Sequence, residues 1–269
     1  MVKADLDAYR QRIGYPGHLE PTAQTLRSIC RLHQLAIPFE NLDIALLRRP
    51  ISLEPEALVE KLVHRRRGGF CFEQNGLLAV MLEAIGFGVT MGYATWVPEE
   101  GERIVPFDHL VLKVELPEDG SEWLADVGFG RETPEGPLPL QEGESERFEQ
   151  SGIAYRLRRL DQPDLQWAVE KTLASDGEWT PLYDVDLRPR RMEDYEARSL
   201  YNQTSPESHF TQGVICSKPV PGGRVSVTGE MLIVTMHGER QETPLQDISA
   251  LIEALDRWFG VRIEEGMIG

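Results

Sequence analysis

The chain's candidate nucleophiles and bases are three cysteines and six histidines. Cys71 stands apart within "HRRRGGFCFEQNG", residues 64–76. It follows Gly68 and Gly69, which predict a sharp turn that presents the next residues, and it precedes an amphipathic run. Arginines beside a thiol favour the thiolate. Two readings compete. Cys71 is a small hydrophobe in a helix–helix connection, as buried cysteines usually are, or it is a displayed nucleophile. A thiol nucleophile needs a base, and the base needs a group to orient it. His18, His33, His64, His209 and His237 lie in helical or turn-rich stretches or late in the chain. His109 opens the strand signal "HLVLKV" after a loop-like "EEGERIVPFD", so its side chain would sit rigidly at a strand mouth. Alone, it would pass for an ordinary surface or core histidine. The next strand signal, "WLADVGFG", carries Asp126 between apolar residues. Burying an unpaired carboxylate there is costly, and a neighbouring imidazole would satisfy it. The competing reading has Asp126 capping the turn into "GFG".

Three kinds of segment must position these residues. The first third reads helical. "PTAQTLRSICRLHQLAI" places Leu26, Ile29, Cys30 and His33 at helical spacing until Pro38. "SLEPEALVEKLVHRRRGG" offers Ser52 as an N-cap, a stripe of Leu58, Val59, Leu62 and Val63, and Gly68–Gly69 as a stop. "FEQNGLLAVMLEAIG" turns Leu77, Leu78, Met81, Leu82 and Ile85 inward. Cys71 then lies at a helix N-terminus, where the dipole favours an anion. From Gly86 the period becomes two: "GVTMGYATW", "HLVLKVEL" (Leu110, Leu112, Val114 and Leu116 on one face), "SEWLADVGFG", "IAYRLRRL" and "LQWAVEKTL" read as strands of an antiparallel sheet or barrel. The acidic, proline-rich "RETPEGPLPLQEGESE" reads as an exposed loop. Beyond Met192 come a helix in "MEDYEARSLYNQ", a turn-rich "TSPESHF", strands in "GVICSK" and "GRVSVTGEMLIVTMHG", and a closing helix in "LQDISALIEALDRWFG" with Gly260 at its end.

Composition narrows the partners. The formal net charge of -16 opposes nucleic acid or an anionic membrane, whose phosphates require clustered Lys and Arg. No apolar run reaches the ~18 residues of a membrane span, and the N-terminus lacks a signal-peptide core. Three scattered cysteines form neither a disulfide framework nor a zinc motif, so no metal is expected and a reducing cytoplasm fits. No phosphate loop followed by Lys-Ser/Thr is present, which disfavours a nucleotide hydrolase.

"RRGGFCFEQN", "FDHLVLKV", "DVGFG", "IPFENLDI" and "TSPESHF" together resemble the arylamine N-acetyltransferases, and the resemblance covers nearly the whole chain. It implies an α+β fold with a transglutaminase-like, cysteine-protease-like catalytic core. A helical bundle over residues 1–87 would carry the nucleophile, a β-barrel over 88–190 the histidine and aspartate, and an α/β lid would span 191–269. It implies a Cys71–His109–Asp126 triad, an acceptor pocket lined by Phe39, Phe129 and Phe210, and approach of the pantetheine of acetyl-CoA near Gly128 and Gly130. The implied reaction is ping-pong transfer of acetyl to an arylamine or hydrazine. Rival readings are an amide synthase that releases macrocycles and a thiol hydrolase; self-association is left open. Arg67 is expected to hold its loop and favour the thiolate, and Glu40, Asn41, Glu73 and Asn75 to hydrogen-bond it. Arg65–Arg67, the helix start and His109 together predict a thiol pKa well below its ordinary ~8.5.

Overall fold

A computed structural model describes residues 5–97, 105–130, 133–144, 153–172 and 177–268. The first third is helical: α1 (Leu6–Ile13), α2 (Ala23–Ala36), α3 (Leu42–Ala45), α4 (Pro55–Leu58), which continues as a π-helical turn over Val59–His64, and α5 (Cys71–Ile85). Thr22 caps α2 by accepting from the Thr25 amide at 3.2 Å. Ser52 is not a helix cap. α4 begins at Pro55, whose fixed φ and missing N–H suit the first helical position, and Ser52 Oγ accepts from Glu54 N ahead of it.

Helix α5 is enclosed. Leu77, Leu78, Met81 and Leu82 are buried as their spacing predicts, but so are Phe72, Glu73, Gln74, Asn75 and Ala79 on other faces. A helix apolar on most sides has to be surrounded, and its Gly76 permits that closeness: a Cβ there would lie 2.8 Å from Met192 and 3.0 Å from Leu58. Ile85 is only half-buried. Gly86, at φ 110°, ends the helix in the left-handed conformation.

Eight antiparallel strands follow: β2 (Gly88–Trp96), β3 (His109–Glu115), β4 (Glu122–Ala125), β5 (Leu138–Pro139), β6 (Gly143–Glu144), β7 (Ala154–Arg159), β8 (Trp167–Thr172) and β9 (Thr180–Arg190). Their order is β5-β4-β3-β2-β9-β8-β7-β6. Val111, Leu124 and Leu138 from one end share a core with Leu157, Val169 and Tyr183 from the other, so the sheet curls into a nearly closed barrel. On the opposite face Leu110, Leu112 and Val114 pack in one cluster with α5. Alternate residues of β3 therefore serve two cores, and both faces of its first half, His109–Leu112, are buried.

The longest strand, β9, escaped the sequence reading. β9 bridges β2 and β8, yet Pro181 and Pro189 near its ends make "TPLYDVDLRPR" resemble a loop. The segment "RETPEGPLPLQEGESE" is the converse case. Thr133, Pro134, Gly136, Pro137 and Leu138 are buried rather than exposed, because Leu138 enters the barrel core and Gln34 Nε2 donates to the Pro134 carbonyl at 2.8 Å. Gln141, Glu142 and Gly143 are exposed as the sequence reading expects, and residues 131–132 and 145–146 lie outside the described residues.

The last third begins with a 3₁₀ turn at Met192–Tyr195, helix α6 (Glu196–Thr204) and a second 3₁₀ turn at His209–Thr211. Strands β10 (Ile215–Val220), β11 (Gly223–Thr228), β12 (Met231–Met236) and β13 (Glu239–Pro244) follow, then α7 (Ile248–Ala254), extended by a π-helical turn to Phe259. β13 is exposed throughout and lacks the alternation that marks a half-buried strand. A two-residue strand from the helical third, β1 (Phe39–Glu40), extends this sheet beyond β10, with Phe39 opposite Ser217. Helices and antiparallel sheets thus occupy successive stretches, an α+β architecture. Among the described residues no helix is long and apolar enough to cross a membrane.

The β2–β9 ladder shifts register between Met91 and Tyr93. A Cβ at Gly92 would lie 2.4 Å from the Asp186 carbonyl oxygen, and the Gly92 carbonyl accepts from Tyr195 Oη at 2.8 Å. Gly92→Ala is expected to push the two backbones apart and cost about 1–3 kcal/mol, read as a lower urea midpoint.

Candidate active site

Cys71 is the first residue of α5, and a web of buried polar groups holds the loop that delivers it. Glu73 Oε2 accepts from the Phe70 amide at 3.2 Å. Gln74 Nε2 donates to the Pro38 and Gly69 carbonyls, and its Oε1 accepts from His33 Nε2. His33 Nδ1 must then accept from Tyr9 Oη, 2.8 Å away. Burial lowers the His33 pKa to about 4, consistent with this neutral tautomer. Arg67 donates twice to Glu40 Oε1, at 2.9 and 2.7 Å, and lies 3.2 Å from Asp43. Glu40 also accepts from the Gly68 and Leu42 amides. Lys61 joins Asp43 to Glu73, at 2.6 and 2.7 Å. Of the residues read from the sequence as hydrogen-bonding this loop, Glu40 and Glu73 do so, whereas Asn41 and Asn75 bond other segments. Gly68 has no room for a side chain, since a Cβ would lie 2.0 Å from the Pro38 carbonyl oxygen.

One turn along α5, Asn75 ties the nucleophile's helix to the barrel. Its Nδ2 donates to the Leu110 carbonyl at 2.6 Å and to Asp126 Oδ1 at 2.9 Å, and its Oδ1 accepts from the Val127 amide. Asp126 lies just beyond β4, past the last bonded pair of the β3–β4 ladder, Leu112–Ala125. Its Oδ1 also accepts from the Gly128 amide, and its Oδ2 from His109 Nε2 at 2.8 Å. Both readings of Asp126 from sequence are therefore realised: one oxygen holds the turn and the other holds an imidazole. With Nε2–H committed to Asp126, the Nδ1 of neutral His109 keeps its lone pair. Gly128 lets the strand end approach the helix; a Cβ there would lie 2.9 Å from Asn75 Nδ2 and 3.0 Å from Cys71 Cα.

The electrostatics differ from the sequence expectation. Arg65 is exposed and paired with Glu60, Arg66 is exposed, and Arg67 is consumed by Glu40 and Asp43. None of these arginines neutralises a thiolate at Cys71. Burial raises the Cys71 pKa well above its ordinary value, and the carboxylates of Asp108 and Asp126 add to the rise; the amides of Phe72 and Cys71 oppose it. Burial also works to raise the Asp126 carboxyl, but the charge and hydrogen bond of His109, with those of Asn75 and Gly128, hold it below its usual value. Glu73 is pushed up to about 7, by burial first, against the pull of Lys61.

The three phenylalanines fall on two sides. Phe210 meets Phe70, the residue before Cys71, edge-on at 5.6 Å, and Phe39 lies 6.2 Å from Phe210. Asn41 fixes this pair by donating to the Phe210 and Gly213 carbonyls and accepting from Ile215 N. Phe129 stands edge-on to His109 at 4.9 Å. Gly130, at φ 66°, turns the chain back beside the Phe39 ring. Phe39 and Gly130 border a cavity of about 290 Å³ on the β10–β12 sheet, with Ser217, Ser226 and Arg224 in its wall. Another cavity, of about 830 Å³ beside α1 and α4, includes none of the candidate site residues.

Two further aromatics were not singled out from sequence. Trp96 is 49% exposed and stacks on Phe129 at 5.6 Å. Tyr183 packs on Phe129 and His109, and its buried hydroxyl makes no hydrogen bond of normal geometry among the described residues. Burial and then the Asp126 charge push its pKa up. Trp96 ends a strand that was read correctly, so its place at the strand end was the available signal. Tyr183 lies on the strand that was missed.

A family model described as N-acetyltransferase matches residues 22–268. An arylamine N-acetyltransferase of Mycobacterium tuberculosis is 36% identical, over 97% of this chain and 90% of that protein. One from Escherichia coli is 32% identical, over 98% and 91%. The solved structure of the Mycobacterium marinum arylamine N-acetyltransferase in complex with CoA superposes with a TM-score of 0.86 at 34% identity, covering 98% of this chain and 96% of that one. The Salmonella typhimurium arylamine N-acetyltransferase gives 0.87 at 29% identity, covering 99% and 97%. A likeness of this extent makes the protein an acyltransferase. Within that class, the chain belongs to the arylamine N-acetyltransferase family.

Asn75→Leu keeps the side chain's size but removes all three of its hydrogen bonds and leaves the buried Leu110 carbonyl unsatisfied. A loss of about 2–4 kcal/mol is expected, checked by urea unfolding with intrinsic fluorescence.

Proposed function

We propose that this enzyme transfers acetyl from acetyl-CoA to an arylamine or hydrazine through an acetyl-Cys71 intermediate, with His109 as base and Asp126 as its orienter. The observation that carries the reading is Asn75: one side chain fastens the helix that begins with Cys71 to the carboxylate that holds His109. Nδ1 of His109 takes the thiol proton, and the sulfur attacks the thioester carbonyl. The imidazolium is stabilised by Asp126, which stays ionised because its pKa is held down. Amides at the start of α5, including those of Cys71 and Phe72, are placed to receive the oxyanion. CoA leaves as its thiol with the proton from His109. An arylamine then attacks acetyl-Cys71, His109 takes the amine proton, and the amide departs.

The residues present suit acetyl-CoA. Gly130 borders the cavity beside Phe39, which offers hydroxyls and Arg224 to the pantetheine chain, while Gly128 serves it indirectly by letting the strand end close on Cys71 and Asn75. Phe39, Phe210 and Phe129 present ring faces and edges to a planar acceptor. A helix-borne thiol set against a barrel-borne histidine and aspartate corresponds to a transglutaminase-like catalytic core. On the same reading, residues 1–87 form the nucleophile's bundle, 88–190 the barrel and 191–269 a lid. Separate hydrophobic clusters inside the barrel and beneath the β10–β13 sheet support that division. Three buried free thiols suit a reducing cytoplasm.

Because burial, Asp108 and Asp126 all oppose a free thiolate, the charged sulfur is stable only as an ion pair with the His109 imidazolium. His109→Gln should therefore slow iodoacetamide alkylation of Cys71 at neutral pH by about 10²-fold or more and move its midpoint to higher pH. An unchanged rate would remove His109 from the base role.

Incubation with acetyl-CoA alone should add one acetyl mass to the Cys71 peptide and release CoA. An arylamine should discharge the adduct much faster than water does, which separates the transferase from a thiol hydrolase. Cys71→Ser should keep the fold and lose activity by orders of magnitude. Activity within about tenfold of wild type would exclude Cys71 as nucleophile.

A further inference from the structure

A second polar cleft, of about 340 Å³, has Arg12, Arg66, Lys218 and Arg257 in its wall, with Asp256 and Trp258. These cations come from α1, the loop ahead of the nucleophile, β10 and the C-terminal helical turn. None of the candidate catalytic or substrate-pocket residues borders the cleft. The chain has 44 acidic residues against 28 Lys and Arg, yet among the described residues none of these four cations makes an ion pair. Asp256, the one carboxylate in the wall, pairs with Arg262 at 3.3 Å.

Backbone carbonyls at two helix ends account for only one of the four. Arg12 donates to the Leu62 and Ala36 carbonyls at 3.0 and 2.7 Å, and to the Arg66 and Arg67 carbonyls at 3.3 and 3.4 Å. It is a structural pillar whose charge remains uncompensated. Lys218 is half-buried and donates no hydrogen bond among the described residues; Arg66 and Arg257 are exposed at the rim. The crowding has a measurable cost in protonation. Burial, then Arg66, lowers the Arg12 pKa to about 10, and burial, then Arg12, lowers that of Lys218 against the opposing effect of Cys216. An anion in the cleft would relieve both.

We propose that this cleft binds a small phosphate-bearing anion, held by Lys218, Arg66 and Arg257 over the fixed charge of Arg12. Guanidinium forks match phosphate oxygens, and the volume lies at the low end for small-ligand sites. Arg12 supports residues 62–67, so an anion there would tie β10 and the C-terminal turn to the loop that leads to Cys71. The bound state would be the more stable one.

The test is the melting temperature of the full chain at constant ionic strength, with chloride replaced by orthophosphate, pyrophosphate or citrate. Orthophosphate or pyrophosphate at about ten times its dissociation constant should raise Tm by about 2–4 °C. The shift should vanish in Lys218→Gln, and shrink in Arg257→Gln, whose exposed side chain keeps folding out of question; both should retain wild-type transferase activity. Arg240→Gln, a cation outside the cleft, should keep the full shift. Absence of a shift in the wild type, or one that survives in both cleft variants, would overturn the site. An equal shift from citrate would overturn its selectivity for phosphate.

Discussion

Much of the site depends on the carboxamide of Asn75. It is buried between a helix and a strand end, where an unpaired amide would be costly, and it is fully occupied: two donors to the Leu110 carbonyl and Asp126, one acceptor to the Val127 amide. Those bonds fix the N-terminal end of α5 on the barrel, far from the Gly86–Phe87 connection that joins the helix's other end to β2. Every other feature of the candidate centre is referred to that joint. Asp126 faces inward because one of its oxygens is held there, and His109 takes its tautomer from the other.

Beneath the joint lies a compact group of five charges: Glu40, Asp43 and Glu73 against Lys61 and Arg67. Buried ion pairs are weak evidence of stability, since desolvation offsets much of the attraction. What this group does provide is geometry. Glu40 reaches two backbone amides as well as Arg67, and Glu73 reaches the amide just before Cys71, so the charges also serve as hydrogen-bond partners for a tight loop. The same loop carries no spare cation for the sulfur, which leaves the thiol's ionisation to the imidazole.

The segments most legible in the sequence were those with one dominant period. The helix from Cys71, the strand from Gly88 to Trp96 and the Leu110–Leu116 face were read nearly to the residue, although burial follows the pattern closely only on the last of these. The motifs around Cys71, His109 and Asp126 pointed to the site before any geometry was available. What failed to show has identifiable causes. β9 is flanked by prolines that the strand tolerates at its ends, and with it went Tyr183. β13 is polar on both faces. The stretch around Leu138 looks like a loop by composition but supplies a side chain to the barrel core. Arg67 is near the thiol in sequence and distant from it in function, because its pairing with Glu40 and Asp43 is a tertiary fact that no local pattern records.

The two-residue strand Phe39–Glu40 has a bearing on how the chain can be divided. It covers the outer edge of β10, while the opposite edge is the charged, fully exposed β13. A fragment starting near residue 191 would keep its charged edge but leave the other row of backbone amides and carbonyls open, next to half-buried Ile215 and beside an apolar core. Bare edges of that kind recruit further strands. The C-terminal sheet thus borrows its protection against self-assembly from a dipeptide some 175 residues upstream, and dissecting the protein at its apparent seams would yield an aggregating piece rather than a free-standing one.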